Sequence, residues 1–134
     1  MFVLDCSVTM AWLFEDEQTE FTERILDKLG EDPATVPSLW CLEVLNVLLV
    51  AERRKRCTQA QSIHFLETLK SLPIEIAEAT TATQSESLLL LAKAHDLSSY
   101  DAVYLDLALR LGCPLATLDL NLRKACKKAG VATL

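Results

Sequence analysis

Four short apolar runs in this chain each deliver one acidic residue, and that arrangement limits the folds open to it. Phe2-Val3-Leu4 runs into Asp5, and Pro114-Leu115-Ala116-Thr117-Leu118 runs into Asp119. Glu43 sits within Leu39-Trp40-Cys41-Leu42-Glu43-Val44-Leu45, and Asp101 within Tyr100-Asp101-Ala102-Val103-Tyr104. Ionised carboxylates are rarely buried without a partner, yet no lysine or arginine lies within any of these runs. A hard divalent cation is the natural compensating charge, because magnesium and manganese prefer carboxylate oxygens.

The spacing of apolar residues alternates between short buried runs and helical repeats. Met1 to Leu4 reads as a buried strand, after which Ser7 caps a short helix through Phe14. Glu15 to Leu29 repeats Phe21, Ile25 and Leu29 at four-residue spacing and ends at Gly30. Ala34-Thr35-Val36 is a second strand, and Pro37-Ser38 opens a helix to about Arg56. That helix is apolar nearly all round from Leu39 to Val50, so it is either fully buried or partly a partner surface. Thr58 starts a helix that stops before Pro73, and Ile74-Glu75-Ile76 alternates as a third strand. Thr83 to His95 and Ser99 to Leu111 are helices, Leu115-Ala116-Thr117 a fourth strand, Leu120 to Ala129 a helix, and Val131-Ala132-Thr133 a fifth strand. Strands separated by helices predict a parallel sheet covered on both faces, a three-layer α/β/α arrangement.

At 134 residues one domain over 1–134 is expected, with no linker, repeat or low-complexity tract. The net charge of −6 argues against a protein that coats nucleic acid nonspecifically, but an acidic centre loaded with metal has a different local sign. Five cysteines, Cys6, Cys41, Cys57, Cys113 and Cys126, form no Cys-x-x-Cys pair, so a reducing cytoplasm and core thiols are expected rather than zinc or disulfides. No apolar stretch is long enough to span a bilayer.

In open parallel sheets, ligands bind beyond the carboxyl ends of the strands where strand order reverses. Asp5 and Asp119 fall at such ends, and Glu43 and Asp101 lie near the starts of helices facing the same edge. Each acid also has a structural reading. Asp5 can terminate its strand, Asp119 can cap its helix, and Asp101 completes Ser98-x-x-Asp101, close to a capping box. Glu43, mid-helix among leucines and valines, has no evident structural partner. Asp106, about 140° around the helix from Asp101, reads as a solvated or supporting group, and His95-Asp96 lacks a second such pair.

Val3-Leu4-Asp5-Cys6-Ser7, Leu42-Glu43-Val44-Leu45-Asn46-Val47-Leu48, Ser99-Tyr100-Asp101-Ala102-Val103-Tyr104-Leu105 and Ala116-Thr117-Leu118-Asp119-Leu120-Asn121-Leu122 resemble the four signature segments of PIN-domain ribonucleases. The nearest resemblance is to the VapC-type toxins of toxin–antitoxin pairs, and it covers essentially the whole chain in order. It implies a five-stranded parallel sheet in order 3-2-1-4-5 and a magnesium- or manganese-dependent endoribonuclease. Asp5, Glu43, Asp101 and Asp119 correspond to the catalytic, metal-binding acids, and Ser7, Asn46 and Thr117 to smaller polar positions beside them. Cys6, where many relatives carry alanine or threonine, is a departure. Metal-activated water would then attack an RNA phosphate in line, with Ser7 and Thr117 either bonding water or phosphate or only capping helices.

Two basic clusters face that substrate reading. Arg53-Arg54-Lys55-Arg56 closes a helix C-terminus, where cations are favoured in any case. Arg123 and Lys127, four apart on the helix after Asp119, are better placed to guide RNA. Trp12, Trp40, Tyr100 and Tyr104 read as core or interface in preference to base-stacking platforms. The apolar helix suggests a homodimer, and its pairing with Thr58 to Leu72 a groove for an antitoxin segment. Two other functions compete: a non-catalytic metal- and protein-binding module, and phosphate transfer through Asp5. The second lacks the further acid two residues on, where Ser7 stands.

Overall fold

The computed structural model describes residues 1–134. Strands β1 (Phe2–Leu4), β2 (Ala34–Val36), β3 (Ile74–Ile76) and β4 (Leu115–Ala116) are all parallel and lie in the order β3-β2-β1-β4. Each is short, and β1, β2 and β4 are buried throughout, as parallel strands covered on both faces must be. Helices α1 (Cys6–Ala11), α2 (Glu20–Lys28), α3 (Leu39–Arg53), α4 (Gln59–Ser71), α5 (Ser85–His95), α6 (Ser99–Leu111) and α7 (Leu120–Ala129) connect them. Phe2, Val3 and Leu4 sit at the centre of a core that includes Val8, Ile25, Val36, Val44, Leu105, Leu115 and Leu122.

The expected fifth strand is corrected. Val131 to Thr133 runs beside β4 but makes a single parallel bridge, Leu115 with Thr133. The cause lies in β4, which ends after two residues because the Asp119 cap opens α7 almost at once. Leu115 therefore does all the pairing: its N–H donates to Ala132 O at 2.9 Å and its carbonyl accepts from Leu134 at 3.2 Å.

Helix starts also differ from the expectation where a threonine or acid competes for them. Glu15–Glu17 is an isolated 3-10 turn, and α2 begins only after Thr19, whose hydroxyl and Thr22 form a reciprocal cap. Ala82–Gln84 is a second 3-10 turn ahead of α5. Helix α1 starts at Cys6 and ends at Ala11, so Ser7 lies inside it and caps nothing.

On α3, Trp40, Val44, Leu48 and Ala51 pack inward. Leu42, Leu45 and Leu49 remain 70%, 41% and 57% exposed. The all-round apolar helix is therefore half core and half uncovered surface. No helix is long and apolar enough to cross a membrane.

Candidate active site

Pairing of β1 with β4 decides where the first acid goes. Leu4 lies opposite Ala116 and the Asp5 N–H donates to the Ala116 carbonyl at 3.0 Å, so Asp5 and Thr117 leave neighbouring strands side by side. Asp5 is only 6% exposed. Two hydroxyls donate to its Oδ2, Ser7 Oγ at 2.6 Å and Thr117 Oγ1 at 2.7 Å. Each hydroxyl also accepts a backbone N–H, Ser7 from Leu118 at 3.0 Å and Thr117 from Asp119 at 2.9 Å. Both hydroxyl protons are thus committed to one carboxylate. The structure makes Ser7 and Thr117 braces for Asp5, and neither is the helix cap that the sequence suggested.

Glu43 follows β2 on α3, half-buried, and Oε1 accepts the Tyr104 hydroxyl at 2.6 Å. Tyr104, expected from the sequence only as a core or interface aromatic, is the partner that Glu43 lacked there. Asp119 serves two ends at once: its Oδ1 caps α7 by accepting the Leu122 N–H at 2.9 Å, and the side chain lines the same cleft as Asp5. Ser98 caps α6 through the Asp101 N–H at 3.1 Å, and the Asp101 carboxylate makes no reciprocal bond. The capping box is half-formed, and the carboxylate stays in the cleft.

That cleft has a volume of about 710 Å³, and all four acids line it, together with Asn46, Phe14 and Arg56. Burial raises the carboxyl of Asp5 above the usual range despite its two hydroxyl bonds, and Asp119 adds to the rise. Burial likewise raises Glu43, with further contributions from Asp5 and Asp101. Asp101 is raised by burial, then by Asp119 and Asp5. These acids feel one another, the pattern expected of like charges gathered around a functional cleft. The thiol of Cys6 is pushed up to about 12 by burial and by Glu43 and Asp5, so it is no nucleophile.

An all-oxygen donor set with this excess of negative charge fits a hard divalent cation. No three His, Cys, Asp or Glu side chains stand close enough together to enclose one ion. The four carboxylates line the cleft without forming a ready-made cage, and their donor chemistry fits such a cation.

The other residues singled out in the sequence lie elsewhere. Asp106 accepts from Arg110 Nε at 2.8 Å on its own helix and does not line the cleft. Asp96 ends α5 in the left-handed region. Arg123 Nη2 donates to the Thr117 carbonyl at 2.7 Å and its guanidinium lies 5.4 Å from the Phe21 ring. With Lys127 it borders a separate pocket, not the acidic cleft. Tyr100 is 65% exposed, whereas Tyr104 is fully buried.

The PIN domain sequence pattern matches residues 2–128. This chain belongs to the PIN-domain family. The fold of this PIN domain is similar to that of PAE2754 from Pyrobaculum aerophilum, with a TM-score of 0.72 at 21% identity over 92% of this chain and 83% of the other. It is also similar to FitAcB from Neisseria gonorrhoeae, with a TM-score of 0.67 at 20% identity over 100% and 96% of the two chains. No curated protein matches the sequence.

Two residues take roles at this PIN domain's site that the sequence did not indicate: Tyr104, buried against Glu43, and Arg56, on the cleft wall. Tyr104 stands three residues after Asp101 on α6, on the same helix face, and that spacing was the available signal. Arg56 belongs to the basic run that read as a helix C-terminal cluster, and its place in the cleft depends on how the chain turns after α3.

Proposed function

We propose that this PIN domain is a metal-dependent endoribonuclease, the toxin of a VapC-type toxin–antitoxin pair, acting in the cytoplasm. Asp5, Glu43, Asp101 and Asp119 are its magnesium or manganese ligands. The observation that carries this reading is that four carboxylates from four separate elements line one cleft, three of them raised by burial and by their neighbours. A cation bound there would neutralise phosphate charge and acidify a coordinated water for in-line hydrolysis of RNA.

The chain's own residues do the positioning. Ser7 and Thr117 saturate Oδ2 of Asp5, which leaves Oδ1 as the oxygen to offer. Tyr104 holds one oxygen of Glu43 and leaves the other. Asn46, exposed on α3 one turn beyond Glu43, presents its amide to a phosphate or water at the cleft wall. Arg123 fixes the Thr117 carbonyl and so the loop that carries Thr117 and Asp119.

An antitoxin segment needs an apolar seat, and a cavity of about 790 Å³ lined by Trp12, Leu26, Leu29, Phe65, Leu69 and Leu72 supports one. It lies between α2 and α4, a different pairing from the α3–α4 groove expected from the sequence. The uncovered leucines of α3 support a homodimer.

Asp5→Asn tests the cleft. RNA cleavage dependent on added magnesium or manganese should fall by orders of magnitude. Melting without added metal should stay level or shift upward, and the stabilisation gained from metal should shrink. Asp106→Asn is the control and should change cleavage far less. A clearly destabilised Asp5→Asn protein that still cleaves RNA would sink the assignment. A second reading, a non-catalytic metal- and protein-binding module, draws on the spread of the four acids; it predicts stabilisation by metal with no cleavage at all.

A further inference from the structure

Among the residues lining the acidic cleft, Arg56 is the sole cation. It belongs to the basic run Arg53-Arg54-Lys55-Arg56, but the structure separates it from the others. Arg53 turns back to the Leu49 carbonyl of its own helix. Lys55 adopts the left-handed conformation, φ 58°. Its N–H donates to Glu52 O at 3.0 Å while the Arg56 N–H donates to Ala51 O at 2.8 Å, the paired bonds of a Schellman turn. That reversal brings Arg56 to Phe14 and Asp16, in the segment that follows α1. Its guanidinium lies over the Phe14 ring, 4.2 Å from the ring centre. Nη2 donates to both oxygens of Asp16, at 2.8 and 3.1 Å. Nε and Nη1 make no hydrogen bond within the chain, although arginine carries five donors in a fork that matches phosphate.

We propose that Arg56 is the phosphate anchor of the cleft, gripping the backbone of single-stranded RNA at its mouth, and that Asp16 holds the guanidinium until RNA displaces it. This rests on the reading of the cleft as an RNA site. A polyanion entering a wall of carboxylates needs a fixed positive contact beside any cation they hold. A guanidinium stacked on an aromatic ring supplies one with little rotamer freedom left to lose. Asp16 is itself exposed, so exchanging it for a phosphate costs little.

The test is the affinity for a short, labelled, single-stranded RNA oligonucleotide with magnesium present, measured in the Asp5→Asn chain so that turnover does not intervene. Arg56→Gln should weaken binding about tenfold and flatten the dependence of log affinity on log salt by ~0.7. Asp16→Asn should act in the opposite direction and tighten binding about two- to fivefold. That gain should vanish when Arg56→Gln is also present. If Asp16→Asn weakens binding as Arg56→Gln does, the pair only latches the turn after α3, and the proposal is wrong. A gain from Asp16→Asn that persists without Arg56 overturns it equally, since bulk charge then explains the effect. Cleavage by the wild-type chain separates the two readings. If it cleaves RNA while the Arg56 variants bind normally, the anchor alone falls. If it never cleaves while the opposite effects of Arg56 and Asp16 hold, the nuclease reading falls and the anchor stands.

Discussion

Tyr104 and Glu43 join a fully buried phenol to a half-buried carboxylate through one 2.6 Å bond. Tyr104→Phe removes the hydroxyl without disturbing the ring packing. Loss of a hydrogen bond to a charged group should cost about 1.5–3 kcal/mol, tempered because Glu43 keeps access to water. Cleavage should fall about tenfold as Glu43 loses its orientation. Denaturant titration and initial cleavage rates check the two effects separately. The raised carboxyls give a further prediction. Asp5 and Asp101 start from an ordinary value of 3.8 and Glu43 from 4.5, and all three are held higher in the fold. In the window above those ordinary values the folded chain binds more protons than the unfolded one. Stability without added metal should therefore decline as pH rises through the raised values. Metal affinity should increase over the same window, since the ligands must ionise. Asp32, lowered by its bonds to the terminal ammonium and Lys28, works in the opposite sense. Comparing wild type with Asp5→Asn cancels it, and the variant's melting curve against pH should be flatter.

Among the elements, helix ends are the places where local chemistry prevailed over periodicity. Thr58 caps α4 reciprocally with Gln61, accepting its N–H at 3.2 Å. Thr58→Ala should destabilise by about 1 kcal/mol in denaturant titration. Lys55, by contrast, occupies a left-handed position that favours glycine. A side chain there costs about 1–2 kcal/mol, offset in part by the greater freedom that glycine has when unfolded. Lys55→Gly should therefore stabilise the chain by roughly 0.5–1 kcal/mol while leaving Arg56 in place. The strands and most helices were legible because their apolar spacing is long enough to show a period. Glu15 to Gln18 was not, because three adjacent acids carry no period and Thr19 starts the helix on its own hydrogen bonds. The fifth strand misled for a different reason: Val131-Ala132-Thr133 has strand composition, but pairing needs a partner, and β4 offers it one residue.

Across the whole molecule, α3 divides its two apolar faces between the core and the surface. Leu42, Leu45 and Leu49 form a stripe along the exposed face. If a second copy covers it, sedimentation at micromolar concentration should show a dimer. Leu45→Glu should then shift the chain to monomer with little loss of folding stability, since Leu45 is already partly exposed. A wild-type monomer under those conditions would remove the dimer. The same global arrangement explains why the cleft was partly legible. The four acids announced themselves as charges in apolar runs with no cation nearby, but apart from Ser7 the side chains that orient them are distant in sequence. Thr117 reaches Asp5 across 112 positions and Tyr104 reaches Glu43 across 61.

By itself the sequence determined the alternation of strand and helix, the four candidate acids and the resemblance to PIN domains, because each is carried by local spacing or by residue type within a short segment. The tertiary structure decided what those acids touch. Parallel pairing of β1 with β4 brought Thr117 in beside Ser7 as a second brace for Asp5, and packing of α6 against β1 set the Tyr104 hydroxyl on Glu43. The left-handed turn at Lys55 carried Arg56 from a helix end to the cleft, and a carbonyl at Thr117 drew Arg123 away from it. Periodicity records which face of an element is buried, and it holds no information about which distant hydrogen-bonding group will meet that face.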